Sequence, residues 1–152
     1  MPYQRILVAV DGSATSQTAL KNAVVLANAL KAKLRVIHVV DEYLGYIDGL
    51  SFDLDQYIQS IRRHGELVLA KMREITNKAG VEAEFDMHEI SEAPARIPER
   101  IVEDANQWKA DLLVIGTHGR SGLGRLILGS VADAVIRLAH IPVLLTRGDE
   151  NE

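Results

Sequence analysis

The chain has 152 residues, 47% of them apolar and 25% charged, which is ordinary for one globular domain spanning residues 1–152 and excludes a disordered or collagen-like chain. Seventeen Lys and Arg against 21 Asp and Glu leave a formal net charge of −4, so no broad basic surface is expected to bind nucleic acid or an anionic membrane. The chain has no cysteine for disulfides or thiolate metal sites. It also has no apolar run long enough for a signal peptide or a membrane span, so we expect a cytoplasmic protein.

Two apolar runs near the start are typical of strands that are buried on both faces of a parallel sheet. They span residues 6–10 and 34–40. Between them, apolar residues recur every three or four positions after Ser13 or Ser16, either of which can cap an amphipathic helix that reaches Leu30. The chain is therefore predicted to open with a strand, a helix and a second strand.

The middle of the chain is predicted to hold a long helix and a third strand. Residues 41–56 contain glycines and carboxylates with weak periodicity, and we interpret them as an irregular segment. An apolar stripe then predicts a helix over about residues 55–79, with Gly80 just past its end, where glycine is favoured. Residues 81–90 alternate imperfectly and predict the third strand.

The last third of the chain continues the alternation. A helix is predicted by an apolar face that includes Ile97 and Ile101, and the strand at 112–115 is the most apolar in the chain. Ser130 and Asp133 have the spacing of a capping box at the start of a last helix, and residues 141–146 predict a fifth strand. This order predicts a three-layer α/β/α fold around a five-stranded parallel sheet, with ligands bound beyond the carboxyl ends of the strands.

The loop after the fourth strand is rich in glycine. Five of the eleven glycines fall between residues 116 and 129, and a strand, a glycine loop and a helix start together form a typical phosphate site. A Walker A loop is excluded because Arg125 stands where lysine is required, and a dinucleotide fingerprint because Ile127 replaces its third glycine. The alternative is a mobile loop in which the glycines only turn the chain.

The spacing of four residues in this loop carries a resemblance to a known family. Gly116, Gly119, Gly129 and Ser130 fit the pattern G-x2-G-x9-G-S, which resembles the ATP-binding signature of the universal stress protein family. The resemblance extends over nearly the whole chain, through segments similar to the family's strands at 6–13, 38–41 and 142–145. It implies the adenine-nucleotide α-hydrolase-like fold with strand order 3-2-1-4-5. Residues 91–94 depart from the family pattern, which commonly has a glycine there.

The resemblance also implies which residues bind the nucleotide. Asp11 is expected near the ribose or near a metal carried by the phosphates, although Asp-Gly-Ser equally predicts a turn. Val39 is expected to meet the adenine through its backbone, and His118 to be a loop contact. The loop arginines Arg120 and Arg125 are alternatives for pairing with a phosphate, of which we favour Arg120. The predicted nucleotide-binding set is Ala9, Asp11, Val39, Gly116, His118, Gly119, Arg120, Gly129, Ser130 and Val131.

The function that the resemblance implies is regulatory. We expect an ATP-binding stress-response protein that also accepts ADP or AMP, with Mg²⁺ or Mn²⁺ held mainly by the phosphates and by no metal site of the protein itself. The alternative is a slow ATPase or another enzyme of the same group, but Asp11-Gly12-Ser13 differs from the His-x-Gly-His or Ser-Gly-Gly loop of nucleotidyl-transferring relatives. No catalytic residue is assigned. Valine at position 119 or 129 is expected to block phosphate binding and leave the fold intact.

The fifth strand is expected to form a homodimer. The family's strand order places residues 142–146 at an edge of the sheet, and this strand is apolar and uncharged. An exposed edge of this kind invites pairing with a second copy around a two-fold axis. The alternative is a monomer whose edge is covered by the acidic tail at 148–152. The stress, the pathway and any protein partner are not encoded in a pattern that we recognise.

Overall fold

The computed structural model of the chain describes residues 3–41, 53–90, 96–118 and 128–148. Within these ranges strands and helices alternate as predicted, and none of the helices is both long and apolar enough to cross a bilayer. The strands are β1 (Arg5–Ala9), β2 (Lys33–Asp41), β3 (Ala83–Ile90), β4 (Leu112–Gly116) and β5 (Val143–Thr146), and the helices are α1 (Ala14–Leu30), α2 (Leu54–Lys78), α3 (Ile97–Trp108) and α4 (Ser130–Leu138).

The irregular segment expected over 41–56 is shorter than the sequence suggested. Asp41 is the last residue of β2, and α2 begins at Leu54 after the N-cap Asp53, whose side chain accepts from the amides of Asp55 and Gln56. The rest of that expectation, over residues 42–52, lies outside the described part of the chain.

The five strands form one parallel sheet in the order β3-β2-β1-β4-β5. The predicted fold class and strand order are therefore confirmed. β1 lies at the centre, and its residues Ile6 and Val8 stand opposite Leu112 and Val114 of β4. The chain winds outward from β1 to β3 on one side and from β4 to β5 on the other. The order thus reverses between β1 and β4, which is where a ligand is expected to bind in such a sheet.

Two apolar cores cover the two faces of the sheet. Successive side chains of a strand point to opposite faces, so Ile6 and Val8 pack into the core under α1 and α2, while Leu7 and Ala9 pack into the core under α3 and α4. All of β4 is buried, as a strand covered on both faces must be. Helices on both faces of one sheet make the three-layer arrangement.

The helix ends follow local chemistry, with one departure from prediction. Ser13 caps α1 by accepting a hydrogen bond from the Ser16 amide at 3.1 Å, and Gly80 follows α2 with a positive φ of 70°. The N-cap of α4, however, is Gly129 and not Ser130, and no side chain caps this helix. The capping box predicted for Ser130 and Asp133 is therefore wrong, which leaves the first amides of α4 without a side-chain acceptor of that kind.

Candidate functional site

A cavity of about 200 Å³ opens at the carboxyl ends of the central strands, where the strand order reverses. Its walls come from β1, β2 and β4 and from the first turns of α1, α3 and α4. Its position and its lining make it the candidate site of this chain. The cavity is lined by Ala9, Val10, Asp11, Ser16, Val39, Ile97, Ile101, Ile115, Gly116, His118, Gly129, Ser130, Val131 and Ala132.

The cavity brings together most of the residues that the sequence singled out. Of the predicted set, Gly119 and Arg120 lie outside the described residues, as does the alternative Arg125. The remaining eight all line the cavity: Ala9, Asp11, Val39, Gly116, His118, Gly129, Ser130 and Val131. Sequence reasoning missed the contributions of Ile97 and Ile101, although both stand at the start of a predicted helix at this end of the sheet.

Asp11 is held at the cavity by a tight turn between β1 and α1. Its Oδ1 accepts a hydrogen bond from the Ser13 amide at 2.9 Å, so the predicted turn role is present. Gly12 has a φ of 89°, and a Cβ on it would lie 2.9 Å from Cγ2 of Val68 in α2. Glycine is required here both by the backbone conformation and by the close approach of α2.

His38 binds the backbone at the start of the same turn. The ladder between β1 and β2 extends one bond past β1, because the Val10 amide donates to the Ile37 carbonyl at 2.9 Å. The Val10 carbonyl in turn lies 2.8 Å from Nδ1 of the buried His38 ring, which must donate to it. This strand histidine therefore fixes the peptide that precedes Asp11.

Gly116 and Gly129 are needed for packing within the protein. A Cβ at Gly116 would lie 2.7 Å from Cγ2 of Thr15, so glycine lets the first turn of α1 pack against the end of β4. A Cβ at Gly129 would lie 3.0 Å from Cα of His118 and 3.1 Å from the Thr117 carbonyl oxygen. The expectation that valine at 129 would leave the fold intact is therefore wrong, because its Cβ would crowd the backbone of Thr117 and His118.

The amino end of α4 faces the cavity with backbone amides that the helix's own hydrogen bonds do not use. The first intrahelical bond runs from the Asp133 amide to the Gly129 carbonyl at 2.9 Å. The preceding amides, on Ser130, Val131 and Ala132, therefore have no acceptor within the helix itself, and all three residues line the cavity. Such an end attracts anions because the amides and the helix dipole act in the same direction.

The opposite wall of the cavity is apolar. It consists of Ala9 of β1, Val39 of β2, and Ile97 and Ile101, which lie one turn apart on α3. The register of β1 with β2 ends with Ala9 opposite Ile37. Val39 consequently lies two residues beyond the last pair on the β1 side. The cavity thus offers an apolar slot at one end and backbone donors at the other.

A cluster of hydrogen-bonded polar side chains connects α3 with β2 and β3 next to this apolar wall, and the sequence reasoning did not identify it. Arg35 binds Asp104 with two hydrogen bonds of 2.8 Å, from Nε to Oδ2 and from Nη2 to Oδ1, and its Nη2 also donates to Asp86 at 3.0 Å. Nε2 of His88 lies 2.7 Å from Asp104 Oδ1. We call Arg35, Asp86, His88 and Asp104 the Arg35 cluster.

The electrostatics of the Arg35 cluster are those of an ion-pair network. Burial acts to raise the pKa of Asp104, but hydrogen bonds from Arg35 and His88 outweigh it and lower that pKa below its ordinary value. The hydrogen bond to Asp104 likewise raises the pKa of Arg35. Ligand atoms of Asp86, His88 and Asp104 lie within 4.8 Å of one another, yet the Arg35 guanidinium already binds both carboxylates, and a cation would have to compete with it.

Comparison with known proteins gives one consistent result. The model of the universal stress protein family matches residues 2–147. A universal stress protein of Methanocaldococcus jannaschii is 36% identical over 152 residues, which cover 99% of this chain and 85% of the relative.

Two solved structures of such proteins were determined with nucleotides. The universal stress protein from Archaeoglobus fulgidus in complex with dAMP is 26% identical, with a TM-score of 0.70 and coverage of 96% of this chain and 99% of that one. A universal stress protein in complex with cAMP is 27% identical, with a TM-score of 0.65 and coverage of 95% and 97%.

Proposed function

The chain belongs to the universal stress protein family, and on that premise we propose that it is a cytoplasmic, single-domain regulatory protein that binds ATP, ADP or AMP in the cavity between β1 and β4. The observation that carries this proposal is the make-up of the cavity. An apolar slot, a carboxylate at a turn and the amides of a helix start that has no side-chain cap meet in one space at the carboxyl ends of the strands. These three parts match a base, a ribose or cation, and a phosphate chain.

The adenine is assigned to the apolar slot. Val39, Ile97 and Ile101 offer flat aliphatic contacts to a purine ring, and the β1-facing edge of Val39 lies beyond the last residue paired with β1. Backbone groups at that edge can bind the donor and acceptor pattern of adenine, whereas guanine presents the reverse pattern and would leave polar groups unpaired. The dAMP and cAMP complexes of the two relatives support adenine, which is the base that both ligands share.

The phosphates are assigned to the start of α4. Amides of Ser130, Val131 and Ala132 can donate to phosphate oxygens there, and the Ser130 hydroxyl adds a further donor. Gly119 belongs to this part of the proposal through the G-x2-G-x9-G-S signature, and Arg120 as the positive charge next to Gly119. A carboxylate suits Mg²⁺ or Mn²⁺, so Asp11 is the residue that would share such an ion with the phosphates. The ion would neutralise phosphate charge.

We further propose that the protein acts as a homodimer through β5. This strand is the last in the sheet order, so one of its edges has no partner strand within the sheet. Leu144 on β5 is an exposed large apolar side chain. A second copy of β5 would cover both the strand edge and this side chain in an isologous contact.

The proposed nucleotide binding is tested on the protein as purified. The protein is denatured and its supernatant chromatographed for an adenine nucleotide; nucleotide-free protein is then titrated calorimetrically with ATP and with GTP, in the presence of Mg²⁺. We expect ATP to bind more tightly than GTP. Equal affinity for the two, or no binding of either, would contradict the proposal. Phosphate release in the same samples distinguishes a regulatory binder from the alternative, a slow ATPase.

A further inference from the structure

The Arg35 cluster connects the same two elements that form the apolar slot. Arg35 and Val39 lie on the same face of β2, because side chains alternate along a strand. Asp104 lies about one turn after Ile101 on α3. The contact between Arg35 and Asp104 therefore belongs to the same interface of α3 with β2 that contains the slot.

The geometry of this contact fixes α3 in more than one direction. Two parallel hydrogen bonds of 2.8 Å join the guanidinium fork to the Asp104 carboxylate. A bidentate pair restricts both the sliding and the rotation of the helix on the sheet, which a single bond would not do. The side chain of Asp104 is 5% exposed and that of Arg35 is 15% exposed, so water screens the pair very little.

His88 extends this connection to β3. It stands opposite Val39 in the register of β2 with β3, and its Nε2 lies 2.7 Å from Asp104 Oδ1. Nη2 of Arg100 lies 3.3 Å from Nδ1 of the same ring. Arginine can only donate, so Nδ1 accepts, and Nε2 carries the proton that is donated to Asp104. The ring thus links β3 to two successive turns of α3.

The described residues show no comparable anchor at the start of α3. Its N-cap is Arg96, which makes no side-chain capping hydrogen bond. Ile97 and Ile101 are apolar and pack without directional bonds. Among the described residues, the directional contacts of α3 with the sheet next to the slot are those of Asp104 with Arg35 and His88 and that of Arg100 with His88.

We propose that Arg35, Asp104 and His88 are positioning residues that set the width of the adenine slot, and thereby the preference of the site for adenine over guanine. This inference rests on the proposed nucleotide binding. With the pair intact, α3 holds Ile97 and Ile101 at one distance from Val39. Without it, the helix can shift on the sheet and the slot no longer discriminates between the two purines.

The test compares two variants that make the same chemical change at different places. Asp104→Asn removes the charge that binds Arg35. Asp111→Asn is the matched control, because Asp111 accepts from the amides of Gln4 and Arg5 at 2.7 and 2.9 Å at the opposite end of the sheet. The Kd for ATP and the Kd for GTP are measured by calorimetry for the wild-type protein and for each variant.

The ratio of the two dissociation constants is the decisive readout. A variant that is merely less folded loses apparent affinity for both nucleotides equally, so its ratio stays at the wild-type value. We expect Asp104→Asn to lower the preference for ATP by at least about threefold, since a misfit in an apolar pocket costs selectivity of this order or more. Asp111→Asn is expected to keep the wild-type ratio. An unchanged ratio in Asp104→Asn would overturn the inference while leaving nucleotide binding intact.

A second variant keeps the test decisive if Asp104→Asn does not fold. The double variant Arg35→Met with Asp104→Leu replaces the pair by apolar side chains, which restores stability in many proteins but not the directional bonds. It is also expected to show the lowered ratio, and a wild-type ratio there would overturn the inference. If the wild-type protein itself binds neither nucleotide, the proposed function fails, and this inference fails with it.

Discussion

The amide of Gly129 donates to the carbonyl oxygen of Thr117 at 2.7 Å, which ties the residue before α4 to the segment that leaves β4. This bond closes the glycine-rich loop at its base. Because the Asp133 amide then binds the Gly129 carbonyl, the start of α4 is fixed relative to β4. The orientation of the amino end of α4 thus depends on a close backbone contact at which any Cβ would be crowded.

Replacing Gly129 is therefore expected to affect the fold and the site together. Even the Cβ of alanine would lie 3.0 Å from His118 Cα, and the branched side chain of Gly129→Val should cost about 1–3 kcal/mol through overpacking. We expect this variant to have a lower melting temperature and weaker ATP binding. A Gly129→Val protein with wild-type stability would contradict the structural role.

A matched glycine variant separates stability from binding. Gly80 has a φ of 70°, but a Cβ on it would meet nothing within 4 Å, and it follows α2, away from the cavity. Gly80→Ala should cost about 1 kcal/mol through its left-handed backbone and leave the Kd for ATP unchanged. Gly119→Val, outside the described residues, keeps its predicted effect on phosphate binding.

Much of this architecture could be predicted because its signals are local. Apolar runs and helical periodicity lie within short windows, and they predicted the alternation of strands and helices. The glycine spacing carried the family resemblance, and that resemblance implied the strand order and the eight predicted residues that line the cavity. The Arg35 cluster could not be predicted in this way. Its local signal was a charged residue inside the apolar run of β2, but its partners Asp86 and Asp104 lie 51 and 69 positions away.

Two substitutions separate the turn hydrogen bond of Asp11 from its proposed binding of a metal ion. Asp11→Asn retains a side-chain oxygen that can accept from the Ser13 amide, so the turn and the start of α1 should stay stable. It removes the carboxylate charge, so we expect weaker ATP binding and a smaller gain in affinity on adding Mg²⁺. Asp11→Ala loses the acceptor as well and should cost a further ~1 kcal/mol of stability. Thermal melts, and ATP titrations with and without Mg²⁺, distinguish the two variants. If wild type and Asp11→Asn depend equally on Mg²⁺, the Asp11 carboxylate does not share an ion with the phosphates.

The Arg35 cluster predicts a pH dependence of stability. The pKa of Asp104 is lower in the folded protein than its ordinary value of 3.8, so the unfolded chain takes up a proton at a higher pH than the folded chain does. The stabilisation by this carboxylate is therefore fully present above about pH 5 and is lost as the pH falls through the ordinary value and below it. Stability should rise with pH across that acidic range.

Unfolding in urea between pH 7 and pH 3 tests this dependence. At pH 7 we expect the free energy of unfolding of Asp104→Asn to be about 3 kcal/mol lower than that of the wild type, because the substitution breaks a buried pair. The difference should shrink towards pH 3. Asp133→Asn is the control, because Asp133 forms an exposed pair with Arg137 at 3.2 Å that contributes at most about 0.5 kcal/mol. A difference between wild type and Asp104→Asn that is constant with pH would show that the carboxylate charge is not responsible.

The proposed dimer predicts an asymmetry between two exposed leucines. Val143 and Leu145 of β5 pack partly buried against the core under α3 and α4, so a charge at Val143 would disturb the fold as well as any contact between copies. Leu144 points away from that core and is 36% exposed, which makes it the better probe of the strand edge. Leu67 is 69% exposed on α2, which packs on β2 and β3, at the opposite side of the sheet from β5.

Leu144→Asp should therefore dissociate the dimer, whereas Leu67→Asp should not. A carboxylate on β5 would be buried without a partner in the isologous contact, and it would meet its own copy across the two-fold axis, so it carries both a desolvation cost and like-charge repulsion. Light scattering at micromolar concentration should give about twice the chain mass of 16.7 kDa for the wild type and for Leu67→Asp, and the mass of one chain for Leu144→Asp. Thermal melts confirm that both variants are folded. If the wild-type protein stays monomeric at high concentration with ATP present, the proposed dimer is wrong. If Leu144→Asp keeps the double mass, the interface lies elsewhere than β5.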